Sequence, residues 1–256
     1  MRGFSINQID DERFRVKNSK MDLTCTAEDM KFLLRVNSKY RIEQTEDGLF
    51  RVIGDGFQLI GSQVTSGLIF LVNEYLNGDY KCDCTGKVVL DIGGFQGETA
   101  VFFKLLGAKK VIIYEPVLEN HRFIKQNIEL SGVNAQIHQE GIGAKDGTIT
   151  FNYDEITVGL GQGCTGSKCM VIKVVDICRV IEESNADIAK LDCEGAEESL
   201  VNVPASTLRR VEHYMIESHS ATIKKALIEK FIACGFEVTK CTNGDSCSLL
   251  WFKRKD

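Results

Sequence analysis

The chain has no long apolar run. The longest near its middle, residues 67–72, is far too short to cross a bilayer. Residues 1–20 are rich in charge and hold no continuous apolar segment, so no secretory leader is expected and the cytoplasm is the expected location. A basic excess is missing too. Net charge is −5, which argues against a non-specific nucleic-acid binder. Tryptophan occurs once, at Trp251, and no sugar-binding aromatic array stands out. The 10 cysteines include no C-x-x-C pair, so zinc-knuckle spacing is absent. Cys82, Cys84, Cys164 and Cys169 form a grouping from which a metal site can be assembled. The expectation is instead that the cysteines are reduced, small apolar fillers, and no metal site is assigned. Proline occurs only at Pro116 and Pro204, followed by Val117 and Ala205. That excludes both the Asn-Pro-Pro-aromatic and the Pro-Cys motifs of enzymes that modify nucleic-acid bases.

What is present is a normal core-forming composition, 43% hydrophobic and 26% charged, in a chain of 256 residues that suits one large domain or a core with an extension. The stretch that organises it is V-V-L-D-I-G-G-F-Q-G-E-T, residues 88–99. An apolar run enters a turn containing Gly93, Gly94 and Gly97, and Ala100, Val101, Phe102, Leu105 and Leu106 then recur at helical spacing. Such a strand, turn and helix brings a ligand close to main chain with unpaired N–H groups. Asp91 lies two residues before the first turn glycine, where a carboxylate meets a cationic or hydroxylated ligand and repels a pyrophosphate. The next strand, 110–114, ends in Glu115, where an acid can take both hydroxyls of a ribose. A nucleoside carrying a positive group is implied, and S-adenosyl-L-methionine fits. The alternative is an ordinary turn in which Asp91 only caps the helix.

Residues 1–85 read as an accessory region: a helix over 27–36, a hairpin over 41–52 turning at Asp47-Gly48, and a helix over 63–76. Residues 86–256 then alternate strand and helix. A helix over 118–130 turns Phe123, Ile124, Ile128 and Leu130 inward, and a third strand over 134–142 should bring Gly141, Ile142 and Gly143 to the cofactor's adenine. Residues 154–170, rich in glycine and threonine, read as a substrate loop. The fourth core strand, 187–193, is followed by a fifth over 212–218, a helix over 221–234 and a closing hairpin. This pattern implies an α/β fold, a doubly wound, mainly parallel sheet with an antiparallel C-terminal hairpin.

In such a sheet, ligands sit beyond the carboxyl ends of the strands. The fourth strand ends A-K-L-D-C-E-G-A-E, so a period of two puts Lys190, Asp192 and Glu194 on one face. One cation and two acids on a buried strand are costly unless paired or used, and a purely structural salt-bridge network remains the alternative. The fifth strand ends with Glu217 and His219.

Together D-I-G-G-F-Q-G-E-T, I-Y-E-P and A-K-L-D-C-E-G-A-E resemble the FkbM family of S-adenosylmethionine-dependent methyltransferases, over about residues 86–220. The resemblance implies a class I methyltransferase (Rossmann-like) fold, methyl transfer mostly to oxygen, and a small-molecule, sugar or glycolipid acceptor rather than a nucleic acid. It assigns Asp91, Gly93, Gly94 and Gly97 to the methionine part of the cofactor, Glu115 with Pro116 to its ribose, and 141–143 to adenine. Lys190, Asp192, Glu194 and Glu197 match the signature. Phe95 replaces the middle glycine of the broader pattern. The acceptor's proton needs a base, for which His219 or Asp192 is the candidate, with Glu194 and Lys190 orienting the acceptor. Asp192, at a strand end facing the cofactor, also counts among the cofactor-binding residues. Asp192 and Glu194 can alternatively hold a divalent cation. The rival readings are a nicotinamide-dependent oxidoreductase and a non-catalytic protein that retains the cofactor fold.

Overall fold

The computed structural model describes residues 5–61, 68–153, 168–242 and 248–256. The chain opens with two three-stranded antiparallel sheets. The first is β1 (Ser5–Gln8), β2 (Arg13–Asn18) and β3 (Met21–Thr26). Next comes α1 (Ala27–Lys39), started by a capping box in which Thr26 Oγ1 accepts from the Asp29 amide and Asp29 accepts from the Thr26 amide. The second sheet is β4 (Arg41–Gln44), β5 (Phe50–Gly54) and β6 (Phe57–Gly61), and α2 (Leu68–Asn77) follows. The expected helix and hairpin are here, while β1, β2, β3 and β6 went unread. β1 is exposed throughout and carries no apolar alternation, whereas β2 (Phe14, Val16) and β3 (Met21, Leu23, Cys25) do alternate over runs too short and polar to stand out. The start of the expected second helix, 63–67, lies outside the described residues.

The alternating half follows: β7 (Val88–Ile92), α3 (Glu98–Leu105), β8 (Lys110–Tyr114), α4 (Leu118–Ser131), β9 (Ala135–His138), β10 (Gly141–Gly143), β11 (Gly147–Tyr153), β12 (Lys168–Asp176), α5 (Ile177–Ser184), β13 (Ile188–Leu191), a short 3-10 segment (Ala196–Asn202), α6 (Ala205–Leu208), β14 (His213–Ser218), α7 (Ala221–Ala233), β15 (Phe236–Cys241) and β16 (Ser248–Arg254). Seven strands form the main sheet in the order β15-β16-β14-β13-β7-β8-β9, with only β15–β16 and β16–β14 antiparallel. The chain starts in the middle at β7, winds outward to β9, then returns across β7 to β13. That reversal between β7 and β13 is a topological switch point, where open α/β sheets bind ligands.

One face of this sheet (Leu90, Ile112, Ala189, Tyr214) packs with residues of α5, α6 and α7. The other (Val89, Val111, Ile113, Ile188, Met215) packs with residues of α3 and α4. The N-terminal sheets join this second side: Val101 and Phe102 of α3 share a core with Leu33, Val52, Leu59 and Val72. Asn127 of α4 donates to the carbonyls of Ile60 (2.9 Å) and Gln96 (2.8 Å) and accepts from the Ile60 amide, tying β6 to the glycine turn.

Several boundaries differ from the sequence expectation. The third core strand stops at His138, and 141–143 instead pairs in parallel with β12 in a separate small sheet, since Gly141 and Gly143 admit close packing against Ile172 and Val174. Residues 168–170, expected in a loop, begin β12, while 154–167 lie outside the described residues. The fourth strand ends at Leu191, so strand alternation does not extend through Glu194, whose φ is +55°. Leu130 is exposed rather than turned inward.

Candidate active site at the switch point

Register determines the centre of the site. Lys190 on β13 lies directly opposite Asp91 on β7, and Asp91 lies opposite Ile113 on β8. The Lys190 side chain is 2% exposed. Its Nζ is 3.3 Å from Asp91 Oδ1, 3.8 Å from Asp192 Oδ2, and donates to the Gly93 carbonyl at 2.6 Å. Burial works against the ammonium, but the charges of Asp91, Asp192 and Glu98 outweigh it and raise the Lys190 pKa, so Lys190 stays charged. Asp91 is fully buried; burial pushes its carboxyl upward, against the pull of Lys190 and of Thr99, whose Oγ1 donates to Oδ2 at 2.6 Å. Two residues expected to meet ligands thus form a buried pair beneath the glycine turn. Lys190 and Asp91 support the turn from below.

The turn glycines have matching reasons. A Cβ on Gly93 would lie 1.7 Å from the Asp192 carbonyl oxygen, and one on Gly94 would lie 2.3 Å from Ile113 Cγ2. Gly93 also has φ +79°. The amides of Gly93 and Gly94 both donate to the Tyr114 carbonyl, at 2.9 and 3.2 Å. Phe95 takes φ +41°, which accounts for glycine being usual there.

Glu115 closes the turn's other side. Its Oε2 accepts from the Phe95 amide at 2.9 Å; its Oε1 accepts from the Val117 amide at 2.9 Å and Asn120 Nδ2 at 3.2 Å. Burial, opposed by these three donors, pushes its carboxyl up to about 7. A carboxylate has about four acceptor positions, so one on Oε2 remains, enough for a single ribose hydroxyl rather than the pair expected. Pro116 approaches the Gly141 position, where a Cβ would lie 3.8 Å from Pro116 Cβ, so Glu115, Pro116 and 141–143 border one region. Ile142 is buried between its two glycines.

Past Leu191 the chain leaves the sheet and gathers a second group. His219 Nε2 lies 3.5 Å from Glu194 Oε2 and 3.8 Å from Asp192 Oδ1, all three side chains half-buried. On the ring's far side, His219 Nδ1 is 3.1 Å from Oε1 of the fully buried Glu197, which also accepts the His219 amide at 3.0 Å. The Gly195 amide donates to Glu197 Oε2 at 2.8 Å. Burial opposes charge on His219, but Glu197, Glu194 and Asp192 together lift it to about 9. In this arrangement the ring carries its proton at neutral pH and is an acid, which departs from its expected role as a base. Burial pushes Glu194 upward.

Sequence reading missed Tyr80 and the position of Glu197. Tyr80 lies between α2 and β7 and donates to Glu217 Oε2 at 3.1 Å, with Asp192 Oδ2 at 3.4 Å, while Lys190 Nζ sits 5.6 Å from its ring centre. Nothing in the local sequence around Tyr80 signals this. Glu197 did carry a signal: it is the last acid of the K-x-D-x-E-G-x-E signature.

Solved structures share this fold. A candidate S-adenosylmethionine-dependent methyltransferase from Streptococcus mutans aligns at 11% identity, over 82% of this chain and 57% of its own, with a TM-score of 0.50. A candidate methyltransferase complexed with S-adenosylhomocysteine aligns at 12% identity over the same shares, also at 0.50. The chain thus spans just over half the length of these two proteins. The ribosomal protein L11 methylase of Lactobacillus delbrueckii subsp. bulgaricus aligns at 13% identity over 74% of this chain and 81% of its own, with a TM-score of 0.44. No family model matches the chain, and no curated protein matches it either. The fold is the Rossmann-like fold of class I methyltransferases.

Proposed function

We propose that this protein is an S-adenosylmethionine-dependent methyltransferase, related to the FkbM family, that methylates a hydroxyl on a small molecule, sugar or glycolipid. The observation that carries the reading is the meeting, at the switch point, of a glycine turn hydrogen-bonded to Glu115 with the cluster of Asp192, Glu194 and His219. A structure of the same fold with S-adenosylhomocysteine bound supports the choice of cofactor. The residues fit the group in one respect that can be counted: Glu115 retains one acceptor position for a hydroxyl. Gly93, Gly94 and Gly97 would border its methionine part, with Asp91 and Lys190 holding their turn from beneath. Pro116 and 141–143 would border adenine. When bound, S-adenosylmethionine supplies an electrophilic methyl group.

The chain's own work is to align the acceptor, which at best contributes roughly 7–11 kcal/mol, and to remove its proton. We assign the alignment to Glu194 and His219 and the proton removal to Asp192, with Glu197 as a positioning residue for His219. Residues 1–85 are read as an accessory region that shapes the substrate entrance, supported by the reach of Tyr80 to Asp192 and Glu217. The net charge of −5 favours a neutral or cationic acceptor over a nucleic acid. Cytoplasmic location belongs to the same reading, supported by thiols at the described cysteines; among the described residues no helix is long and apolar enough to cross a membrane.

Calorimetry with S-adenosylhomocysteine and with NAD tests the cofactor, and a labelled-methyl screen over hydroxylated metabolites and tRNA tests the acceptor. Binding of S-adenosylhomocysteine alone is expected. Preference for NAD would overturn the proposal, and methylation of tRNA only would overturn the acceptor class.

A further inference from the structure

The geometry points to a divalent transition-metal site formed by Asp192, Glu194 and His219, which would hold the acceptor oxygen. It deepens the proposed methyl transfer and rests on that reading for its role, though not for its existence. The three side chains offer two carboxylate oxygens and, once a metal displaces the Nε2 proton of His219 into solvent, one nitrogen, all within 4.8 Å of one another. His219 Nε2 faces Glu194 Oε2 at 3.5 Å and Asp192 Oδ1 at 3.8 Å, longer than good hydrogen bonds. Ligands of a tetrahedral ion bound at about 2.1 Å stand about 3.4 Å apart, so shifts of a few tenths of an ångström would bring these atoms into a coordination shell.

The surrounding groups are divided accordingly. Asp192 directs Oδ2 to Lys190 and Tyr80 and Oδ1 to His219, so one carboxylate oxygen remains for a cation. His219 is held through Nδ1 by Glu197, whose side chain is 0% exposed. A buried carboxylate on the far nitrogen is how proteins orient a metal-bound histidine. Glu194 reaches the group from a left-handed backbone, φ +55°, beside Gly195 at +104°. An imidazole with two carboxylates suits Mn²⁺, Fe²⁺, Co²⁺ or Zn²⁺ better than Mg²⁺, which prefers oxygen ligands alone. Three protein ligands leave an open position, where a bound hydroxyl would lose its proton to solvent water more readily.

The test uses full-length protein stripped with a chelator and titrated with MnCl₂, free Mn²⁺ being followed by its paramagnetic resonance signal. One equivalent should bind. His219→Ala and Glu194→Gln should each weaken binding at least tenfold, and Glu197→Gln about 10–100-fold. Glu98→Gln, outside the cluster, should bind like the parent protein. Circular dichroism checks folding, and S-adenosylhomocysteine calorimetry on the same variants reads cofactor binding separately. No stoichiometric Mn²⁺ binding, or binding unchanged by both His219→Ala and Glu194→Gln in folded protein, would overturn the site. Mn²⁺ binding without S-adenosylhomocysteine binding would leave the site standing and overturn the methyl-transfer reading; the reverse pattern would do the opposite.

Discussion

Replacing Lys190 by methionine keeps most of the side chain's volume and removes its charge. Asp91 would then be fully buried with no counter-ion, and the Gly93 carbonyl would lose its 2.6 Å donor. Breaking a buried pair from one side costs about 3–5 kcal/mol, because the remaining charge is uncompensated. For a chain of this size each kcal/mol shifts the thermal midpoint by about 2–4 °C, so Lys190→Met should melt about 6–20 °C lower. Urea unfolding followed by fluorescence reads the same quantity, since Trp251 on β16 is the sole tryptophan. Adding Asp91→Asn removes the stranded carboxylate and should recover more than half of the loss. The deficit of Lys190→Met should also shrink as pH falls, because burial already pushes Asp91 toward its protonated form. A loss under about 1 kcal/mol would refute the reasoning, as would a double variant no more stable than Lys190→Met.

Three further outcomes are expected. Gly93→Ala combines a positive φ, costing about 1–2 kcal/mol, with a backbone collision costing about 1–3 more, so chemical denaturation should show a loss of roughly 2–5 kcal/mol. Affinity for S-adenosylhomocysteine should rise with pH through about 7, because a ribose hydroxyl donates to the ionised form of Glu115; calorimetry from pH 6 to 8 that shows no such rise would count against Glu115 as the ribose ligand. Burial pushes Glu74 to about 9 and Glu98 to about 8, so between pH 4.5 and 9 the folded chain holds protons that the unfolded chain has released. Stability therefore declines as pH rises, and differential scanning calorimetry should show the midpoint falling from pH 7 to 9.

The strands of the main sheet were legible because they are apolar runs bounded by glycine or charge, and the turn at 93–97 announced itself by composition. Charges were harder to place. A period of two put Lys190 and Asp192 together correctly, since both belong to one arm of the network, but the strand ends at Leu191 and Glu194 departs from the alternation. Whether Asp91 faces a ligand or a lysine depends on cross-strand register between β7 and β13, which no local pattern encodes. Tyr80 is the extreme case, because its partners Asp192 and Glu217 lie 112 and 137 residues away in the chain. The fit of 141–143 against β12 was likewise unreadable, since it needs the small sheet to exist before the glycines acquire a purpose.

Lys190 and the Gly93 carbonyl it bonds are separated by 97 residues. As the polypeptide emerges from the ribosome, β7, β8 and β9 are complete well before β13 exists. A nascent domain that closed early would bury Asp91 against nothing positive, at a cost of several kcal/mol. That cost discourages premature collapse around the first three strands and defers closure until β13 arrives between β7 and β14. The pair beneath the glycine turn thus ties the first strand of the main sheet to one made much later in the chain.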